Sequence, residues 1–534
     1  MIRINQIKCK VTHTSKDLTQ EIAKCLRLKP EQFTYDIIRQ SLDCRPKHPL
    51  CYVYGVDVML ENSIRESALL KKLHNNNIML SNTVQYHPHC TNKKVISDRP
   101  IVVGSGPAGL FCAYLLALNG YRPILLERGK AMEERTKDVD SFFAGDAPLH
   151  LESNVQFGEG GAGTFSDGKL NTVVKDKYGR QRFILQTFVE CGAPKDILYL
   201  SKPHIGTDYL KRIVVTLRER IKQLGGEIHF SSKVTELTLQ DGQIAGVVTE
   251  NRTSYDSNHV VFAIGHSARD TFELLYDQQV RMEQKPFAVG IRIEHPREQI
   301  DRLQYKEHYG TVPLPTANYK LTYQAENGRS VFTFCMCPGG YVVNASSEEG
   351  GIVVNGMSNY DRMAANSNSA IVAGVTPEDY EGEHPLAGVA FQRKLEQAAY
   401  RAGKGKLPVQ LLSDFMKCQP STKLGTVKPE VMGEYTMANV AECLPSSLVS
   451  AIIEAIVSWG RKLPGYDRED ALVLGVESRT SSPVKIVRDT SFQSNIRGLY
   501  PCGEGAGYAG GIMSAAMDGM RVAEAIMGKE LPKE

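Results

Sequence analysis

The sequence has little that would direct the chain into a membrane or around a metal ion. No uninterrupted apolar run is long enough to span a bilayer. Residues 1–6 lack the apolar segment of a secretory signal. None of the 13 histidines stands in an HxxxH or HExxH pattern, and the 12 cysteines include no CxxC pair. We therefore expect a cytoplasmic protein with reduced thiols, no membrane segment and no metal site.

Length and charge limit the architecture and the partners. A chain of 534 residues is expected to form two or three domains. The net charge of +3 argues against a protein built around nucleic acid. The charge is uneven, however, because residues 1–95 hold 15 Lys or Arg against 8 Asp or Glu. This segment presents either a solvated basic face or a docking surface for an anionic partner, and the oligomeric state stays open.

A glycine fingerprint follows the apolar strand predicted from residue 101. It reads Gly104-Ser105-Gly106-Pro107-Ala108-Gly109. Gly104 permits a tight turn, Gly106 lets the backbone approach a pyrophosphate, and Gly109 lets the next helix pack on the strand. Glu127 follows about 20 residues later at the end of a second predicted strand, where a carboxylate accepts ribose hydroxyls. The pattern predicts a dinucleotide site.

Three further segments point to the same cofactor. A buried strand predicted from residue 259 ends at Ala263 and Gly265. Residues 157–170 form a glycine-rich loop, which suits backbone lying against a flat or charged ligand. Near the C-terminus, a strand delivers Glu504 and small residues then begin a helix. The N-terminus of that helix would direct its positive dipole end at the pyrimidine edge of a flavin.

These segments together resemble the FAD-binding proteins of the glutathione-reductase-like superfamily. More narrowly, the chain resembles a largely uncharacterised family of bacterial FAD-dependent dehydrogenases. The resemblance rests on residues 104–109, 160–170, 334–340 and 503–516. It implies an FAD whose flavin ring lies between the loop at 163–164 and the helix start at 511–514. The implied contact residues are Gly104, Ser105, Gly106, Pro107, Ala108 and Gly109 for the pyrophosphate, Glu127, Arg128 and Val234 for the adenosine, and Gly163, Thr164, Ala263, Gly265, Gly503, Glu504, Gly511, Ile512 and Ser514 for the rest of the cofactor.

The expected fold class is α/β, with a single-Rossmann FAD-binding domain of glutathione-reductase type. Residues 1–95 are predicted to form a small ferredoxin-like α/β module, and a polar stretch from residue 74 to residue 100 reads as a partly ordered linker. The FAD-binding domain is assigned to residues 96–285 and, after a mixed α/β cap domain over 286–464, to a C-terminal return over 465–534.

A second dinucleotide fingerprint is missing from the sequence. Gly158, Gly160 and Gly163 have the spacing, but no apolar strand precedes them. Disulfide reductases of the resembled superfamily use a second such unit for NADPH. We therefore expect one permanent dinucleotide, FAD, and at most a transient NAD(P)H.

The reacting groups stay open at the level of sequence. Cys335 and Cys337 are two residues apart in a predicted strand, so they would share one face, either as a redox pair near a flavin or as packing residues. Lys169 ends the glycine-rich loop and would orient a substrate carboxylate, stabilise charge at flavin N1, or lie solvated. Lys423, in a segment over 419–425, lines a substrate pocket or belongs to a simple turn. Residues 477–479 either mark the entry to the C-terminal segment or form a surface ion pair.

The best-supported function is an FAD-dependent oxidoreductase, a dehydrogenase that transfers a hydride through flavin N5 to or from an unidentified small molecule. Two alternatives remain. One is an FAD-dependent tRNA-modifying enzyme that holds RNA on the basic N-terminal module. The other is a non-catalytic flavin redox sensor or partner-binding protein.

Overall fold

A computed structural model describes residues 1–45, 48–62, 64–82, 84–90 and 94–529. Its N-terminal unit is an antiparallel sheet in the order β2-β3-β1-β4, with two helices. The first helix begins where the Thr14 side chain and Asp17 form a capping box. The elements are β1 (Ile2–Lys10), α1 (Ser15–Leu26), β2 (Phe33–Asp43), β3 (Cys51–Leu60), α2 (Glu66–Leu73) and β4 (Ile78–Leu80).

The stretch predicted to be a linker is more ordered than its polar composition indicates. Within it, β4 pairs with β1 and completes the N-terminal sheet. Tyr86 is buried and donates a 2.7 Å hydrogen bond to Glu524 near the C-terminus. Three polar asparagines in a row concealed the short strand that follows them. The N-terminal unit is therefore attached to the rest of the chain by buried contacts.

The central unit begins with a βαβ crossover and contains more of the described helices than either other unit. The apolar α3 is buried along nearly all of its length because other helices and the sheet cover it on every side. The elements are β5 (Ile101–Val103), α3 (Pro107–Leu118), β6 (Ile124–Leu126), α4 (Met132–Ala144), α5 (Arg180–Glu190), α6 (Thr207–Gln223), β7 (Glu227–His229), β8 (Val234–Gln240), β9 (Gln243–Thr249), β10 (Ser254–Asp256), β11 (Val260–Phe262) and α7 (Arg269–Asp277).

A strand-rich unit follows. Its elements are β12 (Met282–Gln284), β13 (Phe287–Pro296), α8 (Arg297–Tyr305), β14 (Thr322–Gln324), β15 (Ser330–Cys337), β16 (Tyr341–Asn344), β17 (Val354–Met357), β18 (Asn366–Val375), α9 (Ala387–Gly403), β19 (Leu407–Leu411), α10 (Leu412–Phe415), β20 (Val431–Met432), β21 (Tyr435–Met437), α11 (Ser446–Lys462), β22 (Leu472–Glu477) and β23 (Val484–Ile486). The chain ends with β24 (Leu499–Pro501) and α12 (Ile512–Ile526).

The central unit is organised around a five-stranded parallel sheet in the order β24-β11-β5-β6-β7. The last strand returns from the C-terminal end of the chain to pair beside β11. In a parallel sheet the carboxyl ends of all strands meet at one edge, and ligands bind there. The fingerprint, Glu127, Ala263 and Gly503 all follow strands of this sheet, so the topology brings them to one edge.

The strand-rich unit is a seven-stranded sheet in the order β14-β15-β18-β13-β22-β19-β21, with a small β17-β16-β20 sheet beside it. β22 pairs with β13 and β19 in the large sheet, although the division at residue 464 placed it in the FAD-binding domain. β12 and β23 pair with each other where the chain crosses between the two units. The crossing back therefore lies after residue 477.

A buried ion network joins the central unit to the strand-rich unit. Arg269 in α7 lies 2.7 Å from Glu396 in α9, and the same carboxylate lies 2.8 Å from Arg479. All three side chains are almost completely buried. The surface ion pair considered for residues 477–479 is therefore wrong, because both charged residues of that segment lie in the interior.

Candidate functional site

The three glycines of the fingerprint have three different environments. Gly104 has a φ of +102°, and a Cβ there would lie 2.6 Å from the carbonyl oxygen of Ala263. A Cβ on Gly109 would lie 1.9 Å from the Gly104 oxygen, so only glycine lets α3 approach its strand so closely. A Cβ on Gly106 would meet no atom within 4 Å. Gly106 therefore faces open space, where a phosphate group has room.

The start of α3 is free to bind an anion. Gly106 is its N-cap and provides no side-chain cap, and Pro107 occupies the first turn. The first N–H groups of a helix have no partner within the helix, and the helix dipole makes this end positive. Such a terminus is a ready binding site for a phosphate.

Glu127 has a different set of contacts from the ribose contact implied by the resemblance. Its buried carboxylate accepts hydrogen bonds from the Ser105 backbone (2.9 Å) and hydroxyl (2.7 Å). It also accepts from the backbone N–H groups of Gly129 (2.9 Å) and Gly158 (3.1 Å). Four bonds use the acceptor sites of a carboxylate. In this arrangement Glu127 braces the fingerprint against its neighbouring loops.

Arg128 lies in an ion cluster at the same end of the cleft. It contacts Glu152 at 2.5 Å and Asp270 at 2.8 Å, and Lys233 reaches both carboxylates. The guanidinium also lies 4.1 Å above the Phe157 ring. These carboxylates outweigh the effect of burial and raise the pKa of Arg128. The cluster fixes the walls on either side of β6.

The glycine-rich loop contacts both the fingerprint and the start of α12. Gly160 N–H donates to the Ser105 carbonyl at 3.0 Å. A Cβ on Gly161 would lie 3.1 Å from the Gly106 Cα, and one on Gly163 would lie 3.2 Å from Ile512. The loop therefore contacts two parts of the site.

Thr164 and Gly503 are turned away from the cleft. Thr164 is buried under α6, where its carbonyl accepts a 2.7 Å hydrogen bond from the Thr207 hydroxyl. Gly503 has a φ of +78°, and a Cβ there would lie 2.7 Å from Ala108. Both residues set the backbone path of the site through contacts outside the cleft, as Gly109 does.

The start of α12 is another helix terminus at the cleft without a side-chain cap. Gly511 is its N-cap and offers no side-chain cap, while the Ser514 hydroxyl donates to the Gly511 carbonyl at 3.0 Å. Asp518, one turn further, accepts from Gly503 N–H at 2.8 Å and pairs with Arg488. The buried carboxylate thereby fixes the turn after β24 against the helix.

One cleft of about 1510 Å³ connects these parts. This exceeds the roughly 300–1,000 Å³ of ordinary small-molecule sites and suits a dinucleotide with a second molecule. Its lining contains most of the predicted cofactor residues: Gly104, Ser105, Gly106, Pro107, Ala108, Glu127, Arg128, Gly163, Val234, Ala263, Gly265, Glu504, Gly511, Ile512 and Ser514.

Lys169 belongs to a charged group at the cap side of this cleft. Its Nζ lies 2.7 Å from the buried carboxylate of Asp167, which also accepts two hydrogen bonds from Arg362, at 2.9 and 2.6 Å. Burial acts to lower the pKa of Lys169, but Asp167 outweighs it and the net shift is upward. Burial acts to raise the pKa of Asp167, and the two cations hold it well below its usual value. Asp167 and Lys169 are therefore both charged at neutral pH.

The two strand cysteines differ in environment. The register of β15 shifts between Phe334 and Cys337, so the strict alternation used to predict a shared face does not hold there, although both cysteines line the cleft. Cys335 is exposed to the cleft with a φ of +40°, whereas Cys337 is buried. Although Cys335 opens into the cleft, the protein around it desolvates the thiolate, and this effect, only partly offset by Lys169, raises the pKa of the Cys335 thiol to about 11. The thiol form therefore dominates at neutral pH.

The other predicted reacting groups have structural partners or lie outside. Glu477 lines the cleft but pairs with fully buried Arg292 at 2.9 Å. Lys423 is exposed and does not line the cleft, and nearby Ser421 donates to Asp414 at 2.6 Å. The segment over 419–425 is thus a turn fixed by its serine, and the alternative of a substrate-pocket wall is wrong for Lys423.

His266 was not singled out from the sequence. Its Nδ1 lies 3.0 Å from Glu504, and both residues line the cleft at the ends of β11 and β24. Its Nε2 is buried and has no hydrogen-bond partner among the described residues. Buried polar atoms are normally satisfied, so this nitrogen is suited to a ligand hydroxyl or carbonyl. The only sequence feature that indicates a role for His266 is its position just after a predicted strand and Gly265.

Comparisons with known proteins agree with this arrangement. Residues 286–480 match the family described as FAD-dependent protein, C-terminal domain-like. Residues 102–132 match an NAD(P)-binding Rossmann-like domain, and residues 1–59 match a domain of unknown function. An uncharacterized protein of Clostridium beijerinckii is 47% identical over 538 residues, covering 100% of both chains.

Solved flavoenzyme structures are similar at low identity. A flavin-dependent brominase is 11% identical with a TM-score of 0.36, over 81% of this chain and 79% of its own. Glycine oxidase of Bacillus cereus is 12% identical with a TM-score of 0.35, over 82% of this chain and 96% of its own.

The residues present fit FAD. Two uncapped helix starts and the open space at Gly106 lie on one cleft, which is also lined by His266, whose buried Nε2 has no partner among the described residues. Together with the family match, they make FAD the cofactor of this chain. Among the described residues, no group of side chains is arranged to hold a metal ion, and no helix is long and apolar enough to cross a membrane.

Proposed function

This chain belongs to the same family as the Clostridium beijerinckii protein, and we propose that it is an FAD-dependent oxidoreductase acting as a dehydrogenase on a small molecule. The observation that carries the proposal is the pairing of two uncapped helix starts, at Gly106 and Gly511, on one cleft. FAD carries a negative pyrophosphate and, once reduced, negative charge at the pyrimidine edge of the flavin. A positive helix terminus stabilises each of these charges. A simple nicotinamide site would not need the second one, which the C-terminal return supplies.

We assign the pyrophosphate to the start of α3 and the pyrimidine edge of the flavin to the start of α12. Val234 and Arg128 would then hold the adenosine, and His266 and Glu504 would hold the ribityl chain. When bound, FAD supplies a reversible hydride acceptor at N5. The α12 dipole favours negative charge at the edge that it faces.

The chain's own residues orient the second molecule and exclude water. The edge of the seven-stranded sheet lines the cleft with the segment 333–338. Lys169 and Arg362 hold fixed positive charge there, stabilised by Asp167. A substrate held between this wall and the flavin would be oriented without rearrangement of charged groups.

We also propose the division of the chain into units. Residues 1–95 form a ferredoxin-like module, supported by the order β2-β3-β1-β4. Residues 96–285 and the C-terminal return form an FAD-binding domain of glutathione-reductase type. The cap extends from residue 286 to about residue 480, which is the range of the family match.

The electron donor is tested by anaerobic mixing of the FAD-loaded protein with NADH or NADPH in a stopped-flow instrument. We expect bleaching of the blue flavin band that saturates with donor concentration, followed by recovery when an acceptor is added. Candidate substrates are then screened by the same bleaching in the absence of nicotinamide. A loaded protein that neither nicotinamide nor any substrate class reduces would contradict the proposed dehydrogenase activity.

A further inference from the structure

Positive side chains gather at one end of the cleft, on segments other than the fingerprint. The cations that line it there are Arg39, Lys169, Lys202, Lys320 and Arg362. The backbone connects these segments. Lys169 and His204 form an isolated antiparallel β-bridge, and the Leu170 N–H donates to the Pro203 carbonyl at 3.0 Å. Lys202 in turn donates to Asn318, two residues before Lys320, at 2.6 Å. The five cations therefore surround one region.

Carboxylates at this end are few. Asp167 is shared by Lys169 and Arg362. Glu477 is neutralised by Arg292 behind the wall. Arg39 and Lys320 have no ion-pair partner in the part of the chain that the structure describes, and both are exposed. The region therefore carries a surplus of positive charge, which focuses in a cleft and attracts anions.

One of these cations comes from the N-terminal module. Gln40 N–H donates to the Tyr199 carbonyl at 2.7 Å, and its own carbonyl accepts from Ser201 N–H at 2.8 Å. This pairing extends the edge of β2 along residues 199–201 and places Ile38 and Arg39 in the lining of the cleft. The module is thus part of the wall of the site.

We propose that this end of the cleft binds a small carboxylate-bearing substrate and that Arg39 of the N-terminal module is one of its specificity residues. The inference rests on the proposed oxidoreductase function, because it identifies the class of molecule placed beside the flavin. The cations stand on strands and loops, away from the two helix starts that suit phosphates. Asp167 already shows that a carboxylate fits between Lys169 and Arg362.

The test uses the FAD-loaded full chain and two matched probe pairs, benzoate with benzamide and succinate with succinamide. Binding is followed by calorimetry and by perturbation of the flavin absorbance. We expect at least one carboxylate to bind at least tenfold more tightly than its neutral amide, with an affinity that falls as salt is added. R39Q and K320Q should each weaken that carboxylate at least threefold, and the control K16Q should leave it unchanged.

Three outcomes would overturn the inference. The first is equal affinity for each acid and its amide. The second is equal carboxylate affinity in R39Q and K16Q. The third is binding of NADP⁺ that depends on Arg39 and Lys320 when no carboxylate binds. The third would assign the cations to a nucleotide. Arg39, Lys320 and Lys16 are exposed, so their variants are expected to fold, which circular dichroism checks. A chain that retains no FAD contradicts the proposed function, whereas a loaded chain that ignores both acids contradicts only this inference.

Discussion

Lys169 Nζ lies 2.7 Å from the buried carboxylate of Asp167, which also holds Arg362, so one anion fixes two cations at the wall of the cleft. D167N leaves both cations without their partner. Breaking a buried pair in this way costs about 3 kcal/mol of unfolding free energy. We also expect tighter binding of a carboxylate probe, since the competing anion is gone. Urea unfolding and calorimetry measure the two effects.

The control for that substitution is D146N, at an exposed carboxylate, which should change neither quantity. A purely structural Asp167 would give the loss of stability without any gain in probe affinity. That result would show that Lys169, Asp167 and Arg362 do not take part in ligand binding.

Two fingerprint glycines are expected to respond differently to alanine. G106A adds a methyl group to open space at a helix N-cap with a φ of −69°, so folding should be unchanged. FAD affinity should nevertheless fall at least tenfold, because the methyl group occupies the phosphate position. G109A instead places a Cβ 1.9 Å from a backbone oxygen and should destabilise the fold itself. Thermal unfolding of the apoprotein and FAD titration separate the two effects.

G374A in β18 is the matched control for these substitutions, since its Cβ would meet only one atom, at 3.9 Å. It should alter neither FAD affinity nor the unfolding of the central unit. If G106A and G374A bind FAD with equal affinity, the assignment of the pyrophosphate to the start of α3 is wrong.

Stability should depend on pH through Glu294, a fully buried residue of β13. Burial outweighs the hydrogen bonds from Asn366 and from the Glu430 backbone and raises the pKa of Glu294 to about 8, while the unfolded chain has a pKa near 4.3. Between these values the folded state holds a proton that the unfolded state has released. This contribution to stability is therefore complete below about pH 4 and is lost as pH rises through about 8, at about 1.4 kcal/mol per pH unit.

E294Q replaces this titrating carboxyl with an amide, so residue 294 no longer contributes to the pH dependence of stability. The variant should be more stable than the natural protein at pH 8 to 9, and the difference should shrink toward pH 5. The effect of neighbouring His295 cancels, because both proteins contain it. Parallel unfolding curves at every pH would contradict a protonated Glu294.

The cap should separate from the central unit when its ion network is broken. E396Q leaves Arg269 and Arg479 buried without their shared carboxylate, and we expect a loss of about 3 to 5 kcal/mol. Calorimetric unfolding should change from one transition to two as the units uncouple. E383Q, at an exposed residue, serves as the control. An E396Q protein that unfolds like E383Q would show that the network does not hold the units together.

The parts of the site that depend on local sequence could be predicted. The fingerprint needs only a strand, three glycines and a helix within 20 residues, and β5 and α3 supply them. The cap wall could not be predicted, because Asp167 and Arg362 are 195 positions apart and nothing in either segment marks the other. The same holds for Gln40 and residues 199–201, whose pairing is backbone to backbone.

Two errors have physical causes of a different kind. The strict alternation of β15 fails because its register shifts between Phe334 and Cys337, and such shifts have a weak sequence signal outside glycine. The boundary at residue 464 was drawn at the end of α11, but the cap sheet needs β22 between β13 and β19. Strand order within a sheet is set by long-range packing, which a single sequence does not record.

The central claim is that this cleft holds FAD, and the absorbance spectrum of the purified chain tests it most directly. The protein is incubated with excess FAD, passed through a desalting column and scanned. We predict the near-ultraviolet and blue bands of bound flavin at one flavin per chain, and their loss for G106A but not for G374A. A chain that leaves the column colourless after reconstitution, while folded by circular dichroism, would contradict the account.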